Sequence, residues 1–79
     1  NIPEELIGTW TDEAGTETYA FNADGSGYQD YEGEEYGYTF EISGDRIYLS
    51  YDNGGADDFS YYVDEDELVI MNSWIYYRQ

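Results

Sequence analysis

Apolar and polar residues alternate along most of the chain, most clearly in its middle. Every second residue from 36 to 42 is apolar, and the residues between them are polar or glycine. The segment 43–45, Ser-Gly-Asp, interrupts this pattern, which resumes from 47 to 51. A period of two is typical of antiparallel strands with one buried face, and the interruption predicts a hairpin turn.

The rest of the chain follows the same pattern, with short turns rich in Gly, Asp and Asn between the apolar runs. Besides the two central strands, the predicted strands span 6–11, 16–22, 27–32, 59–63, 68–71 and 74–78. Eight short strands joined by tight turns predict an antiparallel up-and-down meander. Closing that sheet into a small barrel removes its two exposed edges, so we predict an all-β barrel formed by a single domain over residues 1–79.

Pro3-Glu4-Glu5-Leu6 departs from the alternation. Pro and acidic residues suit the first turn of a helix, because Pro lacks the N–H that would be unpaired there and the acids face the positive end of the helix dipole. A short N-terminal helical turn is therefore predicted before the first strand.

Aromatic residues replace many of the aliphatic residues of an ordinary core. The chain has eleven Tyr, two Trp and three Phe, and each can bury about 150–250 Å². A small barrel filled by such side chains is a packed core, so a shallow pocket at its open mouth, rimmed by Tyr hydroxyls, is the most that we expect. The predicted interior residues are Trp10, Tyr19, Phe21, Tyr38, Phe40, Leu49, Phe59, Tyr61, Leu68 and Ile70. We interpret Tyr48 and Tyr62 as outward cross-strand pairs, with a flat surface for sugars or a protein as the alternative.

The charge balance restricts the partners. Nineteen acidic residues and two Arg give a formal net charge of −17. Nucleic acids and anionic membrane surfaces attract basic patches, so neither is expected as a direct partner, whereas cations and basic protein surfaces are compatible. No apolar run approaches the roughly 20 residues of a membrane-spanning helix, so membrane insertion is not expected either.

The side chains available for catalysis are few. The chain has no His, Cys or Lys, which excludes the common general bases, thiol nucleophiles and Schiff-base chemistry. A paired-carboxylate glycosidase would need a cleft, and a domain of this size leaves little material to build one beside its core. We therefore expect no enzymatic activity and no cofactor.

The stretch FNADGSG looks like part of a calcium loop, because Asn22 and Asp24 are spaced as alternate ligands. If they were the third and fifth residues of an EF-hand loop, the first and twelfth would be Ala20 and Tyr31, which cannot be carboxylate ligands. We predict instead a hairpin turn between the second and third strands, in which Asp24-Gly25 supplies positive φ angles.

Two acidic clusters are predicted at turns. Asp57 and Asp58 form one, and Asp64 and Asp66 belong to the other; each is a candidate for weak Ca²⁺ binding, because hard cations take several oxygen ligands. The alternative for both, and for the acidic segment 32–35, is a solvated rim that keeps strand edges from associating.

The two ends of the chain resemble the lipocalins and related calycins. Gly8-Thr9-Trp10 follows a short helical turn, and Arg78 lies in the last strand. In that superfamily the Gly-x-Trp tryptophan closes one end of the barrel and an arginine of the last strand packs across its ring. The resemblance implies this structural role for Trp10 and Arg78, as a cation–π pair of about 0.5–2 kcal/mol.

The order of the segments LIGTW, YAFNADGSG, YTFEISGDRIYLSY, YYVDEDELVI and YYR resembles a lipocalin-like domain of unknown function. Its members occur in secreted proteins and lipoproteins of Gram-positive bacteria. The resemblance implies an extracellular or cell-envelope location and a monomeric, non-catalytic binding or accessory module for an unidentified protein or small ligand. Two alternatives stay open: an acidic protein that blocks a basic partner surface or mimics nucleic acid, favoured if the carboxylates form one stripe, and a domain weakly stabilised by Ca²⁺.

Overall fold

The computed structural model describes residues 2–79 and contains a short 3-10 turn followed by eight antiparallel strands. The turn spans Glu4–Leu6, and the strands are β1 Gly8–Asp12, β2 Glu17–Phe21, β3 Ser26–Tyr31, β4 Glu34–Ser43, β5 Arg46–Tyr51, β6 Ala56–Asp64, β7 Glu67–Ile70 and β8 Trp74–Arg78. Each strand pairs with the next, and β1 pairs with β8 to close the barrel. The predicted all-β meander barrel with its helical turn is confirmed; Asn1 lies outside the described residues.

Several strand boundaries differ from the sequence prediction, and two of the differences have identifiable reasons. β1 begins at Gly8 because Leu6 belongs to the 3-10 turn. β6 begins at Ala56 rather than Phe59, because its ladder with β5 continues to the pair Ser50–Ala56. Asp57 and Asp58 are consequently strand residues, and their predicted position in a turn is wrong.

The core is close to the predicted one. All but one of the predicted interior residues are buried; Tyr61 is half-buried and packs against the edge of the cluster. Leu6, Ile47 and Tyr76 are additional core residues. Edge-to-face aromatic pairs are frequent, as between Phe21 and Phe40, whose ring centroids lie 5.0 Å apart, an arrangement that aromatic quadrupoles favour.

The turns alternate between the two ends of the barrel. The start of β1, the β2–β3, β4–β5 and β6–β7 turns and the end of β8 lie at one end, which we call the closed end. The β1–β2, β3–β4, β5–β6 and β7–β8 turns lie at the other, which we call the open mouth. Within residues 2–79 no helix is both long enough and apolar enough to cross a membrane.

Candidate functional site

The closed end is sealed by the 3-10 turn and by Trp10. Leu6 and Trp10 are fully buried, and the indole Nε1 of Trp10 donates a hydrogen bond to the carbonyl oxygen of Leu6 at 3.0 Å. The turn is thereby folded across the end of the barrel. An apolar side chain and an indole fill the space that would otherwise admit water.

Arg78 completes this seal from the last strand. Its Cζ lies 4.3 Å from the centroid of the Trp10 ring. Its Nη2 and Nη1 donate to the carbonyl oxygens of Glu5 and Ile7 at 2.8 and 3.1 Å. Gly8, with φ +139°, leaves room for the guanidinium, since a Cβ there would lie 3.2 Å from Nη1. The structure therefore brings Trp10 and Arg78 together in the arrangement that the resemblance implies.

The open mouth contains a cavity of about 440 Å³, which we call the mouth pocket. Most of its walls are aromatic or aliphatic: Tyr19, Tyr31, Phe59, Ile70, Met71, Trp74, Ile75 and Tyr76. Its polar lining consists of Thr16 and three carboxylates, those of Asp12, Glu17 and Asp57. The buried rings of Tyr19 and Phe59 form its floor, while Trp74 and Tyr31 stand at its rim with 59% and 49% of their surface exposed.

Strand alternation explains why these side chains converge. Glu17 has the same parity along β2 as the inward-facing Tyr19 and Phe21, and it pairs with Tyr31 across the β2–β3 ladder. Asp57 has the parity of Phe59 in β6 and pairs with the inward-facing Leu49. Because the side chains of a strand alternate between its faces, both carboxylates face the barrel axis where the packed core ends.

A chain of hydrogen bonds crosses the base of the mouth. The Tyr76 hydroxyl donates to Oε1 of Glu17, and the Gln29 amide donates to Oε2. The Tyr51 hydroxyl in turn donates to Oε1 of Gln29 at 2.6 Å. Both carboxylate oxygens of Glu17 therefore have a donor, so this side chain is held in one position below the pocket.

The hydroxyls of Tyr76 and Tyr51 at the base of the mouth have raised pKa values and stay protonated at neutral pH. Burial raises the pKa of Tyr76, and the hydrogen bond to Glu17 together with its charge raises it further. Burial also raises the pKa of Tyr51, with smaller contributions from the charges of Asp57 and Glu17. These hydroxyls act as fixed donors, because a phenol inside a low-dielectric site beside a carboxylate resists ionisation.

Asp12 is also engaged within the protein. Its Oδ1 accepts from the backbone N–H groups of Thr16 and Glu17 at 2.8 and 3.2 Å, and its Oδ2 accepts from the Thr16 hydroxyl at 2.8 Å. Burial raises the pKa of Asp12, but these hydrogen bonds outweigh it and lower the pKa overall. Asp57 differs, since its one bond from residues 2–79 is the backbone N–H of Asp58 donating to Oδ1.

A second, shallower cleft of about 320 Å³ lies beside the mouth pocket and shares Asp57 with it. Its other lining residues come from β3, β4, the end of β5, the β5–β6 turn and the start of β6: Gln29, Tyr36, Tyr51, Asn53, Gly55 and Ala56. The mouth is thus a wide polar and aromatic surface around a deeper aromatic pocket.

The first pair of metal candidates is split between two faces of the sheet. Asp57 faces the mouth, whereas Asp58 lies on the outer face, where it forms an ion pair with Arg46. Two carboxylates that point to opposite sides of a strand cannot share one ion. Their prediction as one acidic cluster at a turn is therefore corrected.

The second pair lies at the β6–β7 turn of the closed end. Asp66 Oδ1 is 3.4 Å from Nε of Arg78, so this carboxylate already has a cationic neighbour. Asp64 and Asp66 line one shallow acidic cleft together with Glu65, Glu67 and Tyr77. Among residues 2–79 the structure contains no group of three or more acidic side chains placed to hold a metal ion.

FNADGSG forms the β2–β3 turn, although its φ angles differ from those predicted. Gly25 has a positive φ of 91°, whereas Asp24 does not. The Gly25 N–H donates to the Asn22 carbonyl oxygen, and the Asp24 carboxylate accepts from both the N–H and the hydroxyl of Ser26. These last bonds lower the pKa of Asp24. The oxygen that suggested a calcium ligand instead stabilises the turn.

The remaining carboxylates do not form one stripe. Glu4, Asp24, Asp45 and Glu65 lie at the closed end, and Glu13, Glu32 and Asp52 lie at turns of the open mouth. Acidic residues thus surround both ends of the barrel. This distribution does not favour the nucleic-acid mimic that a single stripe would support.

The structure is thus a small antiparallel barrel that is sealed at one end and open to an aromatic pocket at the other. The sequence matches the family described as Lipocalin-like domain over residues 3–70, and the chain belongs to this family. A search of curated proteins found no match, and a search of solved structures found none. The matched segment includes Trp10 and ends at Ile70, so β8 with Trp74 and Arg78 lies beyond it.

Sequence reasoning missed several residues of the mouth pocket. Glu17 could have been found, because it continues the alternation of Tyr19 and Phe21. Trp74 and Tyr76 could not, since their place in the pocket depends on the pairing of β8 with β1. The predicted pocket rimmed by Tyr hydroxyls corresponds in place to the cavity, whose rim also includes an indole and carboxylates.

Proposed function

We propose that this protein is a monomeric, non-catalytic binding module whose ligand enters the mouth pocket. The observation that carries the proposal is the contrast between a fully sealed end and an aromatic cavity of about 440 Å³ at the other end. Small-molecule sites commonly have about 300–1,000 Å³ and predominantly apolar walls with a few polar groups. The carboxylates of Asp12 and Glu17 already accept internal hydrogen bonds, which favours binding over catalysis.

The cellular setting belongs to the same proposal. The domain acts outside the cytoplasm, in the envelope of a Gram-positive bacterium, where the full-length protein is anchored or secreted. Its support is the likeness to lipocalin-like domains of secreted proteins and lipoproteins. A lipobox cysteine or a secretory leader encoded upstream would support this setting, and recovery of the intact protein from the cytoplasmic fraction would contradict it.

The chain contains a convenient pair of reporters, one tryptophan at each end. In an NMR titration with 2-phenylethanol, a neutral probe with one aromatic ring, we expect the indole N–H resonance of Trp74 to shift and that of Trp10 to stay in place. Trp10 is buried in the closed end and is bonded to Leu6, so it serves as an internal control. A titration that moves neither resonance, with this probe or with its charged analogues, would contradict the proposal.

A matched pair of variants tests whether the probe binds in the mouth pocket. Trp74→Ala removes a ring from the rim, and Tyr48→Ala removes an exposed ring from the outer face of β5. We expect the first to weaken binding of 2-phenylethanol by about tenfold, the scale of one lost aromatic contact, and the second to leave it unchanged. Equal losses would mean that the probe binds exposed aromatic residues without a site.

A further inference from the structure

We propose that the mouth pocket selects its ligand by charge: it takes an organic cation, an ammonium group carried on a flat apolar body, and excludes anionic amphiphiles. This inference rests on the proposed function and adds the chemical class of the ligand. It is drawn from three features of the pocket: its exposed rings, the state of each carboxylate and the placement of both arginines.

The rim of the mouth pocket carries two partly exposed aromatic rings. Trp74 and Tyr31 are about half exposed, and Met71 beside them is also exposed. Indole and phenol rings carry negative charge on their faces and attract ammonium groups placed over them. The buried rings of Tyr19 and Phe59 below them suit the apolar part of the same ligand.

The carboxylates of the pocket differ in their availability. Asp12 and Glu17 have both oxygens engaged by donors of the protein. Asp57 accepts one bond, on Oδ1, and within residues 2–79 its Oδ2 has no donor. Asp57 is therefore the residue that can pair directly with a ligand cation, while the other two contribute fixed negative charge around it.

The protein places no cation of its own in the mouth. The chain has two Arg and no Lys or His. Arg46 is paired with Asp58 on the outer face of the barrel, and Arg78 lies over Trp10 at the closed end. The negative charge of the pocket thus remains unpaired within residues 2–79, and a carboxylate or sulfate brought into it would meet charges of its own sign.

Three probes of similar size and different charge test this selectivity: 2-phenylethylammonium, 2-phenylethanol and phenylacetate. Each is titrated at neutral pH and constant ionic strength, and the indole N–H resonances of Trp74 and Trp10 are followed. We expect the ammonium to bind about tenfold more tightly than the alcohol, from one cation–π contact and one ion pair, and phenylacetate to bind most weakly. If the alcohol or phenylacetate binds as tightly as the ammonium, the charge inference is overturned while the mouth remains a binding site. If no probe shifts Trp74, the proposed function itself fails.

A matched pair of variants separates the pocket from the charge of the whole protein. Asp57→Asn and Asp64→Asn remove the same charge, the first in the mouth and the second at the closed end. We expect Asp57→Asn to abolish most of the preference for the ammonium over the alcohol, and Asp64→Asn to retain it. Equal losses in the two variants would overturn the inference, because the preference would then arise from net charge alone.

A fourth probe distinguishes a free amine from a protein side chain. N-acetyl-lysine-methylamide carries an ammonium group on a flexible aliphatic stem without a flat ring. We expect it to bind several-fold more weakly than 2-phenylethylammonium, because it lacks the ring that the aromatic walls contact. Tighter binding of the lysine derivative would overturn the requirement for a flat body and would point to lysine side chains of a protein partner.

Discussion

The two ends of the barrel pair aromatic rings with charge in opposite ways. At the closed end the cation belongs to the protein: Arg78 lies over Trp10 and binds the carbonyl oxygens of the 3-10 turn. At the open mouth the rings of Trp74 and Tyr31 surround carboxylates, and residues 2–79 supply no cation there. The charges and rings of the closed end are paired with one another, whereas the rings and the Asp57 carboxylate of the mouth remain exposed. Aromatic rings and charges therefore seal the barrel at the closed end, and at the open mouth they form the site that we propose for a ligand.

The largest difference between the ends should appear when each loses its tryptophan. Trp10→Ala empties the closed end and is expected to lower the free energy of unfolding by about 3–5 kcal/mol, the usual cost of deleting a buried aromatic side chain. Trp74→Ala removes a ring that is 59% exposed and is expected to cost less than about 1 kcal/mol. Urea unfolding followed by circular dichroism measures both, since it needs no tryptophan signal.

If Trp10→Ala does not fold, Trp10→Phe is a milder replacement. We expect it also to lower the free energy of unfolding more than Trp74→Ala does. A loss below about 1 kcal/mol for Trp10→Ala would mean that Trp10 does not seal the barrel.

Replacing each of the two arginines should also change stability to different degrees, and the difference between them should be smaller than that between the tryptophan replacements. Arg78→Met keeps an apolar stem over the indole but removes the donors to Glu5 and Ile7, with an expected loss of about 2–3 kcal/mol, because hydrogen bonds from charged groups contribute more than neutral ones. Arg46→Met removes an exposed ion pair on the outer face and is expected to cost less than about 1 kcal/mol. Similar losses for the two variants, measured by urea unfolding, would contradict a special role for Arg78.

Unfolding at alkaline pH tests the buried tyrosines of the core between the two ends of the barrel. Burial raises the pKa of Tyr38, with a smaller contribution from neighbouring Tyr51, so the folded state favours the protonated phenol. The stability that this preference contributes is complete below about pH 10, where the unfolded phenol titrates, and it is lost as the pH rises toward the higher folded pKa. We expect a decline of up to about 1.4 kcal/mol per pH unit for each buried tyrosine.

Denaturant melts at a series of pH values above neutrality measure this decline. Tyr38→Phe should be less stable than the parent at neutral pH, because it loses a hydrogen bond of 2.6 Å to the Ala20 carbonyl oxygen. It should nevertheless have a shallower alkaline slope. Unchanged slopes in the two proteins would mean that Tyr38 ionises as readily in the folded state as in the unfolded one.

Added salt should have the smallest effect on the stability of the barrel, and it should act on the charges at both ends. With a net charge of −17, screening by NaCl is expected to raise the unfolding midpoint by the equivalent of about 1 kcal/mol or less. CaCl₂ at equal ionic strength should raise it by the same amount, because Asp57 and Asp58 point to opposite faces and Asp66 lies beside Arg78. A clearly larger rise with CaCl₂ would reveal a specific ion site.

The central strands were predictable because a period of two marks a sheet with one buried face, and β4 and β5 carry that period most clearly. β7 does not, since Leu68, Val69 and Ile70 are all buried. Leu6 was not predicted as a core residue, since its burial depends on the 3-10 turn folding across the barrel end. Asp57 and Asp58 are predicted at a turn, as an acidic pair that follows the turn-rich segment 52–56. Pairing with Leu49 and Ser50 of β5 instead extends β6 through both residues. The local sequence does not indicate how far such a pairing of two strands continues.

The mouth pocket likewise depends on contacts between residues far apart in the sequence, which local patterns cannot predict. The inward direction of Glu17 follows from local alternation, but its contact with Tyr76, 59 residues away in sequence, depends on barrel closure and on the register between β1 and β8. Residue types alone therefore predicted a polar rim and could not predict which carboxylates would meet which rings.

The pairing of β1 with β8 has a mechanical consequence. The two strands are antiparallel neighbours, and β1 starts and β8 ends at the closed end. A force that pulls the two ends of the chain apart would therefore load the hydrogen bonds between β1 and β8 one at a time, beginning with the bond from the Gln79 N–H to the Thr9 carbonyl oxygen. Peeling of this kind meets little resistance compared with shearing a whole ladder at once. The hydrogen bonds of Arg78 to the 3-10 turn lie at the same end and bear this load together with that bond, so under tension the barrel should open from its closed end toward its open mouth.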